Sequence, residues 1–229
     1  MFILIEGGDA SGKTTIINEI KQRLSENKME PLTSDNTIIL KSPTFPFSEI
    51  WRTIDKTAHV DPLTRFYFFR AVAQNDSAVV KNFMKEGKHV ILERYIYSTA
   101  AFNETFDEYS KVEDSALLSK NHLSYQGLLK PDVAFLLDLP DEVRNHRIFE
   151  RAKINKSVSW WERPDFQHDL NCRLRELTQN EGMSCIDTSR YSSSQAVDII
   201  AKKISAFERN RQLSSVIQGL KSFKESTNY

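Results

Sequence analysis

The residues best equipped for chemistry are Gly7, Gly8, Asp9, Ala10, Ser11, Gly12, Lys13, Thr14 and Thr15. They follow the apolar run Phe2 to Ile5 and precede a helical spacing of Ile16, Ile17 and Ile20. Gly-x-x-x-x-Gly-Lys-Thr between a strand and a helix is a loop whose backbone N–H groups wrap phosphates. Gly7 and Gly12 permit the backbone angles this needs, and the helix N-terminus adds unsatisfied donors and partial positive charge. Lys13 is suited to the outer phosphates, and the Thr14 hydroxyl to the Mg²⁺ that accompanies them. The expected ligand is a nucleoside triphosphate.

A second group follows another apolar run, His89 to Leu92, as Glu93-Arg94-Tyr95-Ile96-Tyr97-Ser98-Thr99-Ala100-Ala101-Phe102. Arginine suits bidentate phosphate recognition, and a carboxylate there can hold metal-bound water or orient a nucleophile. Standing alone, such a Glu-Arg pair reads as a structural salt bridge. After a central strand beside the phosphate loop, it reads as part of a site.

The elements that must position these groups follow from periodicity. Besides Phe2 to Ile5, strands are expected at Thr37 to Leu40, His89 to Leu92, Val133 to Leu139 and Met183 to Ile186. Helical spacing covers Thr15 to Ser25, Leu63 to Lys85 and Asp141 to Arg151. This alternation implies an α/β domain with a mostly parallel sheet covered on both faces, and ligands at the carboxyl ends of the strands. Lys153 to Gln167, with Trp160-Trp161, reads as a mobile loop or short helical hairpin. Beyond Phe207 the chain turns polar, yet Leu213, Val216, Ile217 and Leu220 keep helical spacing. That final helix is expected to dock on the core, the alternative being a partner-binding tail.

Composition narrows the class. At 229 residues with 40% hydrophobic content, one compact domain is the natural count. Thirty-one basic against 31 acidic residues give no electrostatic case for nucleic acid or an acidic membrane as partner. Cys172 and Cys185 have no zinc or disulfide spacing and fit a reducing compartment. The first strand leaves no room for a cleavable leader, and no apolar stretch approaches the roughly 18 residues of a membrane span. A cytoplasmic protein is expected.

Glu93-Arg94-Tyr95-x-x-Ser98-x-x-Ala101-Phe102 resembles the Asp-Arg-Tyr-x-x-Ser-x-x-Ala-aromatic signature of thymidylate kinases. Phe66-Tyr67-Phe68-Phe69-Arg70-Ala71-Val72-Ala73-Gln74-Asn75 resembles their aromatic helix. Pro131 to Pro140 resembles the strand before their lid helix, and Ile186-Asp187-Thr188-Ser189-Arg190 their last strand and adenine-side loop. The similarity keeps its order from Met1 to about Ile204. It implies a P-loop NTPase fold: a five-stranded parallel sheet flanked by helices, with a short lid insertion. The kinase domain would span 1–205, with a lid at about 151–167 and a C-terminal extension over 206–229.

The resemblance also implies roles. Asp9 would contact the sugar hydroxyl of a monophosphate, and Arg94 would grip the acceptor phosphate. Phe69 would stack on thymine, Ser98 and Phe102 would close over base and sugar, and Pro43 would turn the chain toward the acceptor. Ser189 and Arg190 would lie on the adenine side. A homodimer packed through the aromatic helix is implied as well. Three departures stand out. Glu93 replaces the usual Asp, a form more familiar from deoxynucleoside kinases that carries the carboxylate about one bond further out; it is expected as a metal ligand alongside Thr14. Ala73 occupies the position of a base-contacting arginine, so that Arg70 or Gln74 is expected to substitute. No arginine follows Pro43 in Thr44-Phe45-Pro46-Phe47, where Arg52 or Lys41 would have to serve.

With Ala10 where some members carry a basic residue, the resemblance assigns a catalytic arginine to the lid, and Arg163 in Glu162-Arg163-Pro164-Asp165-Phe166 matches it. Arg147 and Arg151 would face the donor phosphates. The implied reaction is reversible transfer of the ATP γ-phosphoryl group to dTMP, with Mg²⁺, giving dTDP and ADP. Its catalytic groups would be Lys13, Arg94, Arg163 and Glu93. Two other readings remain: a deoxynucleoside kinase, which needs a carboxylate base near the end of the second strand, and a non-catalytic nucleotide-binding regulator.

Overall fold

The computed structural model describes residues 1–54, 62–110, 127–155 and 162–226. Lys156 and Trp160-Trp161 of the expected lid lie outside the described residues. The strands are β1 (Phe2–Glu6), β2 (Thr37–Lys41), β3 (His89–Glu93), β4 (Val133–Asp138) and β5 (Ser184–Asp187). The helices are α1 (Lys13–Ser25), α2 (Phe47–Ile54), α3 (Pro62–Lys85), α4 (Ile96–Ser110), α5 (Asp141–Asn155), α6 (Pro164–Asn180) and α7 (Ser193–Ser226).

All strands pair in parallel in the order β2-β3-β1-β4-β5. Strand β1 is buried at every position, as a strand covered on both faces must be. Its side chains alternate between two cores. Ile3 and Ile5 pack with Ile16, Ile20, Phe135, Val197 and Ile200 under α1 and α7. Phe2 and Leu4 pack with Val80, Ile96, Phe166 and Leu170 under α3, α4 and α6. Each such side chain withdrawn from water contributes roughly 1.5–3 kcal/mol. The sheet therefore holds the carboxyl ends of β1, β2 and β3 side by side, where Gly7, Ser42 and Arg94 emerge.

The expected strands and the helices after the first, second and fourth of them recur, with ends shifted by a residue or a few. Helices α2, α4 and α6, and α7 ahead of Leu213, do not show in the periodicity. Within Lys153 to Gln167 both ends are helical, because α5 continues to Asn155 and α6 begins at Pro164. Pro164 occupies the first turn, where its missing N–H costs nothing, behind an extended Arg163 cap.

The C-terminal expectation needs correction. There is no separate final helix: α7 runs unbroken for 34 residues. It docks on the body through Val197, Ile200 and Ile204, and Glu208 is the last described side chain on it that is buried. Leu213, Val216 and Ile217 are exposed, at 61%, 60% and 53%, so that this stretch does not dock on the core. The side chain of Leu220, the fourth residue of that spacing, lies outside the described residues.

Candidate active site

Helix α1 starts directly from the glycine loop. Gly12 caps it in the left-handed conformation (φ 85°) and supplies no side-chain cap, leaving the first-turn N–H donors to an anion. Gly7 is needed sterically: a Cβ there would stand 2.5 Å from the Leu137 carbonyl. Lys13 is almost fully buried and donates to the Gly7 carbonyl (2.9 Å), the Gly8 carbonyl (2.6 Å) and Ser11 Oγ (3.3 Å). Burial, reinforced by the Arg94 charge, pushes its pKa down to about 7, against the pull of Asp9, Glu93 and Glu6.

Two arginines on α5 clamp this loop from outside. Arg144, with no exposed surface, donates to the Asp9 carbonyl (2.7 Å), to Asp138 Oδ1 (3.2 Å) and to the Leu139 carbonyl (3.3 Å). Arg147 donates to the Ala10 carbonyl (3.1 Å) and to the Thr188 carbonyl (2.9 Å). Thr188 Oγ1 in turn donates to the Ser11 carbonyl (3.0 Å). This tie brings the β5 end, with Ser189 and Arg190, beside the loop. Ser189 and Arg190 themselves are exposed and held by Asp187. Sequence reading placed Arg147 and Arg151 at the donor phosphates and passed over Arg144, whose total burial no local signal announces.

On the other side, Arg94 adopts φ +66°, a conformation costly for a non-glycine residue and found at sites where the surroundings impose it. Its guanidinium bonds Asp9 Oδ1 (2.7 Å) and the Gly7 carbonyl (3.3 Å). Burial pushes the Asp9 carboxyl up, but the charges of Arg94, Lys13 and Arg151 outweigh it and hold the group below the usual range. The structural support is Glu6, a residue sequence reading did not name. Fully buried at the end of β1, its Oε1 accepts from the Tyr95 N–H (2.8 Å) and the Ser98 N–H (3.2 Å). It thus caps α4 directly after Arg94, with burial pushing its own pKa up.

A cavity of about 410 Å³ opens beside these groups. It is lined by Asp9, Arg94, Pro43, Phe69, Ser98 and Phe102, so six of the expected acceptor residues converge. Two do not. Gln74 is exposed against Gly127, and Arg70 is not in the wall. The helical period explains this: the wall positions on α3 are Phe69 and, one turn earlier, Arg65, while positions 70 and 74 turn away. Arg65 also lies over the Trp51 ring at 5.2 Å. At the end of β2 it is Lys41 that enters the wall, 3.7 Å from Glu93. Arg52 is exposed and paired with Glu49. The loop after β2 is anchored by buried Asp76 of α3, which accepts from the Thr44 N–H (2.9 Å) and Oγ1 (2.6 Å).

Two expected catalytic groups sit differently. Glu93 is buried at the end of β3 and faces Lys41. Arg163 is exposed, bonded to Asp165 (2.6 Å), and outside the cavity wall. Arg151, paired with Glu162, lies close enough to influence Asp9.

Fold and site together define a P-loop nucleotide-binding protein with a second, aromatic-walled pocket beside the phosphate cradle. A family model described as thymidylate kinase matches residues 5–199. The chain is 31% identical over 209 residues to a probable thymidylate kinase 1 of Saccharolobus solfataricus, covering 88% of this chain and 97% of that one. It is 27% identical over 216 residues to a thymidylate kinase of Wolbachia pipientis, covering 89% and 97%. The solved structure of thymidylate kinase from Candida albicans superimposes with a TM-score of 0.68 at 21% identity, over 90% and 92% of the chains. This chain belongs to the thymidylate kinase family.

Proposed function

We infer that the chain catalyses reversible transfer of the ATP γ-phosphoryl group to dTMP. The observation that carries this is the junction at Asp9 and Arg94, where the ATP cradle meets a cavity walled by Phe69 and Phe102. A monophosphate acceptor is already ionised and needs no general base; the task is alignment and charge neutralisation. Arg94 would hold the acceptor phosphate, and Asp9 the sugar hydroxyl. Lys13 would leave its three loop oxygens for the donor phosphates. The adenine would rest near Ser189 and Arg190. Arg163 would have to exchange Asp165 for the transferring group as the lid closes, which would also exclude water.

Mg²⁺ fits the donor set at this site, since it is held by one or two protein oxygens together with phosphates and water. Thr14, exposed at the start of α1, and the Glu93 carboxylate are the oxygens that would hold it. Bound there, it would neutralise charge on the donor phosphates. We also assign a homodimer through the aromatic face, supported by the exposed Phe45, Ile50 and Tyr67 of the β2–α2 loop, α2 and α3. A cytoplasmic setting accords with the free Cys172 and Cys185; no helix among the described residues is long and apolar enough to cross a membrane.

A deoxynucleoside kinase is disfavoured by the region after β2. Glu49 is exposed and paired with Arg52, and Asp76 is occupied by Thr44. The deciding experiment is a coupled ADP-release assay with dTMP, dUMP, dCMP and thymidine. Turnover with dTMP, reduced about 10²–10³-fold in Arg94→Ala, is the expected result. Turnover with thymidine alone would overturn the acceptor assignment.

A further inference from the structure

We propose that Cys172, His168 and Asp141 form a thiol–disulfide exchange site. It takes a low-molecular-weight disulfide carrying carboxylates and holds half of it as a mixed disulfide on Cys172. The site lies outside the acceptor cavity and does not depend on the kinase reading.

Cys172 carries a free, exposed thiol on α6. His168 stands four residues earlier, on the same helical face. Its Nε2 lies 3.7 Å from Cys172 Sγ, within hydrogen-bond reach for sulfur. Its Nδ1 lies 2.6 Å from Asp141 Oδ2, at the start of α5. A carboxylate only accepts, so in the neutral ring Nδ1 carries the proton and the Nε2 lone pair is turned to the thiol. A nucleophile beside a base that a third group orients is the arrangement that activates a thiol. Arg175 adds an anchor for the incoming molecule. Its Nε and Nη2 are taken by Asp138, at 2.6 and 3.2 Å. Its Nη1 faces Cys172 Sγ at 4.0 Å, a charged donor placed for a carboxylate next to the reacting sulfur. The acceptor cavity takes Gln167, Leu170 and Leu174 from α6, a different face of the helix. An adduct on Cys172 therefore need not enter it.

In the exchange, the Cys172 S–H proton passes to His168 Nε2 and Sγ attacks one sulfur of the disulfide. The new S–S bond forms as the old one breaks, and the departing thiolate takes the proton back from Nε2. Cys172 is oxidised, the disulfide is reduced to one free thiol, and excess thiol reverses the step. Cys185 on β5 is the internal comparison, since burial and then the Asp138 carboxylate push its thiol up.

The test is incubation of the full chain with glutathione disulfide, read by intact mass and peptide mapping, for wild type and His168→Gln. Cys172 should gain one glutathione at least about tenfold faster than Cys185. His168→Gln, at an exposed position, should melt like wild type. It should slow Cys172 about tenfold or more and leave Cys185 unchanged. Dithiothreitol should remove the adduct. Equal rates at the two cysteines would overturn the proposal. So would a Cys172 rate that His168→Gln leaves within about twofold, because bare exposure would then account for the reaction. Hydroxyethyl disulfide, which has no carboxylate, should favour Cys172 over Cys185 less strongly; an equal preference would overturn the assigned ligand class.

Discussion

At the scale of single residues, Lys13 is the group whose charge is most at stake. Its pKa stands at about 7 because it is buried against carbonyls with Arg94 nearby. In the unfolded chain it would titrate near 10.5. Between those values the unfolded state binds the proton and the folded state does not, so this group's effect on stability grows more favourable as pH rises from 7 toward 10.5. Bound phosphates reverse the preference and recharge it. Nucleotide binding at pH 8 should therefore take up close to one proton, read by calorimetry in buffers of different ionisation enthalpy. A buffer-independent enthalpy would contradict the assigned burial. Gly7→Ala should cost about 1–3 kcal/mol in thermal or urea unfolding, since its Cβ meets a backbone oxygen of β4. Arg144→Met should cost a similar amount by leaving carbonyls unsatisfied, and should weaken nucleotide binding through the displaced Asp9. Glycines, lysine and Arg94 were legible from spacing alone. Glu6 and Arg144 were not, because each acts through three-dimensional contacts with residues about 90 and 135 positions away.

At the scale of elements, rotation decides which side chains reach the ligand. On α3 the wall carries Arg65 and Phe69, so Arg65→Ala should raise KM for dTMP about tenfold. Gln74→Ala should leave it within about twofold. The opposite ranking in steady-state assays would return the base contact to position 74. Strands proved readable, since Val133 to Asp138 and Phe2 to Glu6 are nearly continuous apolar runs. Helix α4 hid because its buried face mixes Ile96 and Ala100 with Asn103 and Thr105. Helix α6 hid because Gln167, Asn171 and Thr178 are buried polar positions among its apolar ones. Apolar periodicity cannot register a helix whose core-facing side is partly polar.

At the scale of the whole molecule, α7 separates docking from reach. Truncation after Gln212 keeps the Glu208 pair with Arg211 and removes Leu213, Val216 and Ile217. The melting temperature should stay within a few degrees, because those three side chains are exposed; a large drop in scanning fluorimetry would show that the stretch docks. Tyr67→Glu should convert a dimer to a monomer in sedimentation if the aromatic face is the interface. The central position of β1 carries a different consequence. Its partners are β3 and β4, so residues 2–6 must wait for residues 89–93 and 133–138. At ~5–20 residues per second of synthesis, that interval is on the order of ten seconds. Throughout it, Phe2-Ile3-Leu4-Ile5 leaves the ribosome as an apolar strand with neither neighbour yet made. The innermost strand of the finished sheet is thus open to aggregation for as long as its two neighbours remain unmade.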